Sequence, residues 1–223
     1  MKKNFFFWLF LFIFLTTFYF DFSKTNISAF FRIKNFEVKN TENTDIDLVY
    51  SKLEKFKYNN IFLINNDEIA SSITDLDFVK NVGIKKIYPD KIKININEHK
   101  IVAVISNKEN KHILSKEGHI IENYDDKFNS LPIIYGKNTE NYFPYFYKLL
   151  NDINFDLNKI KYLKYFESNR WDIFLKDGKL IKLSSDKSEA KESLANFIAI
   201  YSDKKFEQYK IFDFRVKNQL ILK

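Results

Sequence analysis

The stretch Lys91-Ile92-Lys93-Ile94-Asn95-Ile96-Asn97 alternates strictly between polar and apolar residues. A period of two marks a half-buried strand, so Ile92, Ile94 and Ile96 fall on one face. Just before it, Phe78, Val82, Ile84 and Ile87 predict a second strand, and Tyr88-Pro89-Asp90 predicts the turn that joins the two. Toward the N-terminus the period becomes helical. Ile69, Ile73 and Leu76 recur at i, i+4 and i+7 behind Asn66 or Asp67 as cap. Val49, Leu53 and Phe56 recur in the same way behind Thr44 or Asp45, and Asn60-Ile61-Phe62-Leu63-Ile64 is a short apolar link between the helices. Ile33, Phe36 and Val38 predict one more strand, irregular at Asn35. The order β-α-α-β-β over Phe31 to Glu98, with both helices on one side of a small sheet, defines an α+β module.

Further out, Phe5 to Phe20 is an uncharged block of 16 residues, twelve of them Phe, Leu or Ile. At about −0.3 to −0.6 kcal/mol each they favour the bilayer by roughly 4–7 kcal/mol. Such a helix reaches about 24–27 Å, slightly short of a ~30 Å hydrocarbon core, a gap that snorkelling Lys2, Lys3 and Lys24 can close. A cleaved secretory signal shares the pattern of two lysines and an apolar run. Two features favour a retained anchor: the block exceeds the usual apolar region of a signal, and Asp21 to Ala29 holds no small-x-small cleavage pattern. Residues 1–4 then form a short tail and residues 5–22 a transmembrane helix. Lys2 and Lys3 favour a cytoplasmic N-terminus, whereas Lys24, Arg32, Lys34 and Lys39 pull the other way.

Beyond His99 the pattern becomes strand-rich. Ile101 to Ser106, Lys111 to Ser115 and His119 to Glu122 predict short strands, with a hairpin turn at Gly118. Leu131 to Gly136 is an apolar strand or loop. A helix starting near Pro144, which suits a first helical position, carries Phe146, Leu149, Leu150 and Ile153. Ile160 to Phe166, Trp171 to Leu175 and Lys179 to Leu183 predict a meander, with Asp177-Gly178 as its second turn. Ser185 or Asp186 caps a long helix with Ala190, Leu194, Phe197, Ile198 and Tyr201 on one face. Ile211 to Val216 and Leu220 to Leu222 end the chain as one bent strand or a last pair. Residues 99–223 thus predict a mostly antiparallel β domain with flanking helices.

The 223 residues are 45% hydrophobic, which excludes wholesale disorder. There is no cysteine, so disulfides, thiolate metal sites and cysteine nucleophiles are excluded. The net charge of +7 is spread among Asp, Glu and Asn with no dense basic stripe, so a solvated surface is expected and nucleic acid is not. His99, His112 and His119 are expected as exposed strand and turn residues, Asp125-Asp126 as a solvated turn, and Ser184-Ser185 as a cap. No catalytic, cofactor-binding or metal residue emerges, and no small-molecule substrate is implied. The cluster Tyr142, Phe143, Tyr145, Phe146 and Tyr147 is expected to face the core on one side and solvent on the other.

Several short motifs follow one another in a telling order. Asp77 to Val82 followed by Ile84 to Ile94 resembles the "W/F-V-x-x-A-x-V…P-x-x-L-x-I" segment of POTRA domains. It leads into Glu98-His99-Lys100-Ile101-Val102-Ala103, similar to an "E-R-x-P-V-A" junction. Leu114 to Gly118 resembles "I-D-x-x-G", Leu131 to Gly136 "L-P-x-L-x-G", Trp171 to Gly178 "W-x-L-x-L-x-x-G", and Asp213 to Gln219 "D-x-R-Y-x-x-G". Together these resemble the FtsQ/DivIB family of bacterial cell-division proteins over nearly the whole chain. The sequence departs at Ile101, where Pro is frequent, at Val216, where Tyr is, and at Gln219, where Gly is.

The resemblance implies a non-enzymatic, single-pass inner-membrane scaffold with a cytoplasmic N-terminus and a periplasmic body. It implies a POTRA domain at 30–98, associated with recruitment to midcell, and a β domain at 99–223 that binds FtsB- and FtsL-type partners. It also implies a link between early and late division proteins during septum formation. Partner contacts are expected at Asp213, Phe214, Arg215, Val216, Asn218, Leu220, Ile221 and Leu222. Asp213 and Arg215 lie two apart, so either they form a structural ion pair or Arg215 offers a charged fork to an acidic partner. Alternation sets Ile221 opposite Leu220 and Leu222, in a strand that either lies at a sheet edge or completes the core. A factor for protein translocation or outer-membrane assembly is the rival reading, because POTRA units serve there too, but it calls for several such units or a barrel.

Overall fold

In the computed structural model, which describes residues 2–17, 27–107 and 110–223, Ile92, Ile94 and Ile96 are all fully buried. The chain divides into two units, residues 1–98 and 99–223.

The first unit opens with helix α1 (Lys2–Thr17) and a single turn, α2 (Ile27–Phe30). At 1.5 Å per residue the 16 residues of α1 span about 24 Å. No helix among the described residues is long and apolar enough to cross a membrane. The expected span 5–22 runs past Thr17 into residues 18–22, which lie outside the described residues. There follow β1 (Asn35–Lys39), α3 (Ile46–Leu53), α4 (Asn66–Thr74), β2 (Val79–Ile87) and β3 (Lys91–Glu98). The sheet order is β1-β3-β2, with β1 parallel and β2 antiparallel to the central strand. A parallel pair needs a crossover, and the two helices supply it. Val49 and Leu53 of α3, Ile69 and Ile73 of α4, and Phe56 close over the isoleucines of β3. Full burial of each such side chain is worth about 1.5–3 kcal/mol.

The caps refine the expectation. Asp45 caps α3, its carboxylate accepting from the Asp47 N–H at 2.9 Å. The cap of α4 is Asn65, which accepts from the Asp67 N–H at 2.9 Å, and not Asn66 or Asp67. Those residues lie in the first turn, where Asp67 and Glu68 oppose the helix dipole. A second clasp comes from far along the chain. The Glu98 carboxylate accepts backbone N–H bonds from Glu42, Asn43 and Thr44 at 2.8–3.0 Å, and one from Asn43 Nδ2. Desolvation pushes this carboxyl up, but the donors at Thr44 and Asn43 outweigh it and hold Glu98 below the ordinary glutamate range.

The second unit runs β4 (Ile101–Ser106), β5 (Lys111–Ser115), β6 (Ile120–Ile121), β7 (Ile133–Tyr135), α5 (Thr139–Asp152), β8 (Ile160–Phe166), β9 (Arg170–Leu175), β10 (Leu180–Lys182), α6 (Lys187–Tyr201), β11 (Ile211–Asp213) and β12 (Ile221–Leu222). They form one nine-stranded sheet in the order β12-β11-β10-β9-β8-β7-β4-β5-β6. Five junctions are antiparallel. Three are parallel: β4–β7, β7–β8 and β10–β11. Helix α5 bridges β7 to β8, and α6 bridges β10 to β11, as parallel neighbours require.

Helix α5 begins at Thr139, ahead of Pro144, which lies inside the helix. The early start follows from packing. Thr139 is fully buried and Phe143 is 1% exposed, so the core holds the first turn in place. Helix α6 is capped by Asp186, whose carboxylate accepts from both Ser188 and Glu189 N–H at 2.9 Å. Its buried stripe is Ala190, Leu194 and Phe197, while Ile198, expected on the same face, is exposed. At 100° per residue, position 198 falls off the edge of that stripe. Aromatic contacts knit the core: Phe146 stacks on Trp171 at 4.6 Å, and Phe197 meets Phe212 edge-on at 5.0 Å.

Candidate functional site

Strand β12 lies at one end of the nine-stranded sheet, paired antiparallel with β11 only. Ile211 and Lys223 exchange both backbone bonds, N–H to carbonyl, at 2.9 and 3.1 Å. In an antiparallel pair such a bonded position alternates with a non-bonded one. Leu222, the next position, therefore turns its N–H and C=O outward from the sheet. The side chains alternate too. Leu220 and Leu222 pack against the core, while Ile221 is 40% exposed on the other face.

Between α6 and the loop that connects β11 to β12 lies a cleft of about 350 Å³. Glu189, Glu192 and Asn196 of α6 form one wall; Val216, Asn218 and Leu220 form the other. Lys217 Nζ reaches Glu189 Oε1 at 3.6 Å and ties the loop to the helix. Asn218 takes a positive φ of 57°, a left-handed turn conformation that Asn adopts readily and that reverses the chain between the two strands.

Of the expected contact residues, four face away from solvent. Phe214 is 7% exposed and belongs to the core, so it offers no side-chain surface to a partner. Asp213 is 6% exposed. Its carboxylate receives the Arg215 fork, Nε at 2.8 Å and Nη2 at 2.6 Å, and also the Arg215 N–H at 3.2 Å. Strand β11 stops at Asp213, so Arg215 meets it by folding back from the loop rather than by sharing a strand face. The fork is thus engaged within the chain. Leu220 and Leu222 are half-buried, leaving Val216, Asn218 and Ile221 as exposed side chains, together with Arg215, whose side chain stays 44% exposed while its fork holds Asp213.

The Asp213–Arg215 pair ends a row of charges that crosses three strands. Lys182 of β10 is in register with Asp213 on one side and Asp172 on the other. Asp172 is 4% exposed, and Arg170 Nε lies 3.3 Å from its carboxylate. Burial pushes the Asp172 carboxyl up, opposed by Arg170, Lys182 and Arg215. The Arg215 fork outweighs desolvation at Asp213 and holds that carboxyl below its ordinary range. Neither Asp172 nor the wall formed by α6 emerges from the sequence reading. A charged residue inside the apolar strand Trp171 to Leu175 was the available signal for the first.

The lowered Asp213 carboxyl carries a prediction. A depressed folded pKa contributes stability that is present above the ordinary carboxylate pKa of about 4 and is lost as pH falls through the folded value. Asp213→Asn should therefore cost about 1–2 kcal/mol at pH 7, the scale of a charged hydrogen bond. The gap to wild type should close below about pH 4. Thermal unfolding at the two pH values checks both statements.

Elsewhere in this unit His99 stacks on His119 with centroids 4.4 Å apart, and His99 Nδ1 lies 3.8 Å from Glu117 Oε2. Among the described residues no group of three His, Asp or Glu side chains is placed to hold a metal ion.

Comparison with known proteins follows this division of the chain. Residues 31–99 match the family model "POTRA domain, FtsQ-type", and residues 103–215 match "Cell division protein FtsQ/DivIB, C-terminal". The chain is 27% identical over 201 residues to the cell division protein FtsQ of Rickettsia bellii, covering 88% of this chain and 73% of that one. It is 23% identical over 163 residues to FtsQ of Agrobacterium fabrum, covering 73% of this chain and 51% of the relative. It is 30% identical over 93 residues to the cell division protein DivIB of Clostridium acetobutylicum, covering 42% of this chain and 37% of that one. The major extracytoplasmic domain of DivIB from Geobacillus stearothermophilus superposes with a TM-score of 0.34 at 14% identity, covering 48% of this chain and 97% of the other.

Proposed function

The chain belongs to the FtsQ/DivIB family of cell-division proteins, and on that premise we propose that it is a non-enzymatic scaffold of the division machinery, held in the inner membrane by one helix. Residues 1–4 lie in the cytoplasm, residues 5–22 span the bilayer, and the POTRA domain (30–98) and β domain (99–223) stand in the periplasm. The β domain receives FtsB- and FtsL-type partners, and the edge of β12 is where they add.

The observation that carries this reading is the open edge. Leu222 directs an N–H and C=O outward that no strand among the described residues pairs, beside the exposed Ile221 and the cleft along α6. An exposed edge is a template for an incoming strand, with main-chain bonds giving affinity and alternate side chains giving specificity. Arg215 acts from behind this surface. By holding Asp213 it fixes the loop that leads into β12, so replacing Arg215 disturbs the site's shape as well as its charge.

The test is Leu222→Pro in the full chain. Proline removes the outward N–H and no bond to β11, a placement that edge strands tolerate. Affinity for the co-purified FtsB- and FtsL-type proteins of the same cell should fall about 10- to 100-fold, the scale of one lost hydrogen bond plus the clash of the ring with an added strand. Circular dichroism and thermal unfolding should stay close to wild type. Undiminished co-purification would show that the partners do not add at β12.

A further inference from the structure

The POTRA domain carries an aromatic ladder on its surface. Phe30 meets Phe31 edge-on with ring centroids 5.2 Å apart, Phe31 meets Phe62 at 5.0 Å, and Phe62 stacks on Tyr88 at 4.8 Å. Phe31 packs against the core, but Phe30, Phe62 and Tyr88 are 58%, 54% and 54% exposed. Leu63, beside Phe62, is 84% exposed, and Tyr58 is 61% exposed. The segments that bear them are bonded to one another. Ile33 N–H donates to the Asn59 carbonyl at 3.0 Å and Ile61 N–H to the Phe31 carbonyl at 2.9 Å. Phe62 N–H donates to Asn60 Oδ1 at 2.9 Å and Leu63 N–H to the Asn60 carbonyl at 3.1 Å. The rings therefore form a fixed apolar surface, of the kind that marks an interaction site.

Its surroundings are basic. Segments 30–34, 54–64 and 86–91 carry Arg32, Lys34, Lys55, Lys57, Lys86 and Lys91 against Glu54 and Asp90, six cations to two carboxylates, net +4. Glu54 pairs with Lys57 at 3.1 Å and Asp90 with Lys34 at 3.4 Å, and Glu37 lies 3.9 Å from Lys91, so the excess charge is carried by Arg32, Lys55 and Lys86. The patch also lies close to α1 along the chain. Twelve residues lie between Thr17 and Phe30, a reach of at most ~45 Å.

We propose that this patch docks on an anionic bilayer surface, with Phe62, Leu63 and Tyr88 seated at the headgroup level. The inference rests on the reading of the N-terminal block as a membrane anchor. Aromatic rings with an apolar body favour that depth, and basic side chains around them meet anionic headgroups. The short connection keeps the patch within reach of lipid whenever the anchor is inserted, so docking carries little loss of freedom.

The absence of cysteine makes the test direct. Full-length Leu63→Cys, labelled with a polarity-sensitive fluorophore, is reconstituted in vesicles of three parts phosphatidylcholine to one part phosphatidylglycerol. Glu42→Cys serves as reference, because the clasp by Glu98 places residue 42 at the far end of β3 from the Tyr88–Asp90 turn. Spin-labelled lipid should quench the probe at 63 at least twofold more than the probe at 42, and the difference should shrink in phosphatidylcholine alone. Flotation of the protein with the vesicles reports the anchor separately. If the chain floats and iodide from the aqueous phase quenches both probes equally, the patch proposal falls and the anchor reading stands. A blue shift at 63 that grows with protein-to-lipid ratio, without quenching by lipid, shows a second copy on the patch and overturns the proposal as well. Failure to float overturns the anchor reading itself.

Discussion

Gly118→Ala should lower the stability of the β domain by about 3–4 kcal/mol, whereas Gly178→Ala should lower it by only about 1–2 kcal/mol. Both glycines sit in hairpin turns at nearly the same positive φ, 88° and 91°. An added methyl group meets the same backbone penalty at each. Around Gly178 nothing lies within 4 Å of the new Cβ, so that penalty is the whole effect. At Gly118 the Cβ would overlap the Glu140 carbonyl and press on Pro144 Cγ at 3.0 Å. The obstacle is helix backbone and cannot swing aside. Pro144 explains why a chain can pass so close to that carbonyl. Having no N–H, it leaves the Glu140 carbonyl without its usual partner one turn on. Paired thermal melts measure the difference, which isolates the contact with α5 from the cost of the turn. Equal losses for the two variants would mean that α5 shifts freely, contrary to its buried Thr139 and Phe143.

Glu98→Ala should lower the stability of the POTRA unit by about 3 kcal/mol, because the part-buried N–H groups of Asn43 and Thr44 each lose a charged acceptor worth about 1.5 kcal/mol, while the exposed Glu42 N–H turns to water. For a unit of this size that is a drop in Tm of roughly 12–20 °C. Glu98→Gln keeps one neutral acceptor and should lose about half as much. The pH dependence has a definite sign. Hydrogen bonding holds the folded Glu98 carboxyl below its ordinary value of 4.5. Its contribution is complete above that value and is lost as pH falls through the folded pKa. Wild type should therefore lose stability more steeply than Glu98→Gln on acidification, and the two should converge at low pH. Parallel curves would mean that Glu98 carries no charge-dependent part of the clasp.

How far the fold could be read from residues differs from element to element. The alternation of Lys91 to Asn97 places Ile92, Ile94 and Ile96 on one face by geometry alone, and those residues form the buried centre of the first sheet. The helical spacing of Val49 and Leu53, and of Ile69 and Ile73, places the crossover in the same way. Local ambiguity defeats the cap of α4, because Asn65, Asn66 and Asp67 are three successive residues that all cap well. Tertiary packing defeats the start of α5, where a buried Thr139 outweighs the preference of Pro144 for a first turn. The parallel placement of β7 between β4 and β8 is invisible to periodicity, which reports the face of a strand and not its neighbour. The same holds at the candidate site. Spacing brought Asp213 and Arg215 together, but only the end of β11 at Asp213 explains why the arginine turns back on the aspartate.

The parallel pairing of β1 with β3 has a mechanical consequence. Tension along the chain enters the POTRA fold at the start of β1 and leaves it at Glu98, the end of β3. In parallel strands these are opposite ends of one ladder, so the load acts in shear. The five paired positions from Asn35↔Lys91 to Lys39↔Asn95 must yield together, instead of unzipping one by one. A domain threaded in this way bears force along its length.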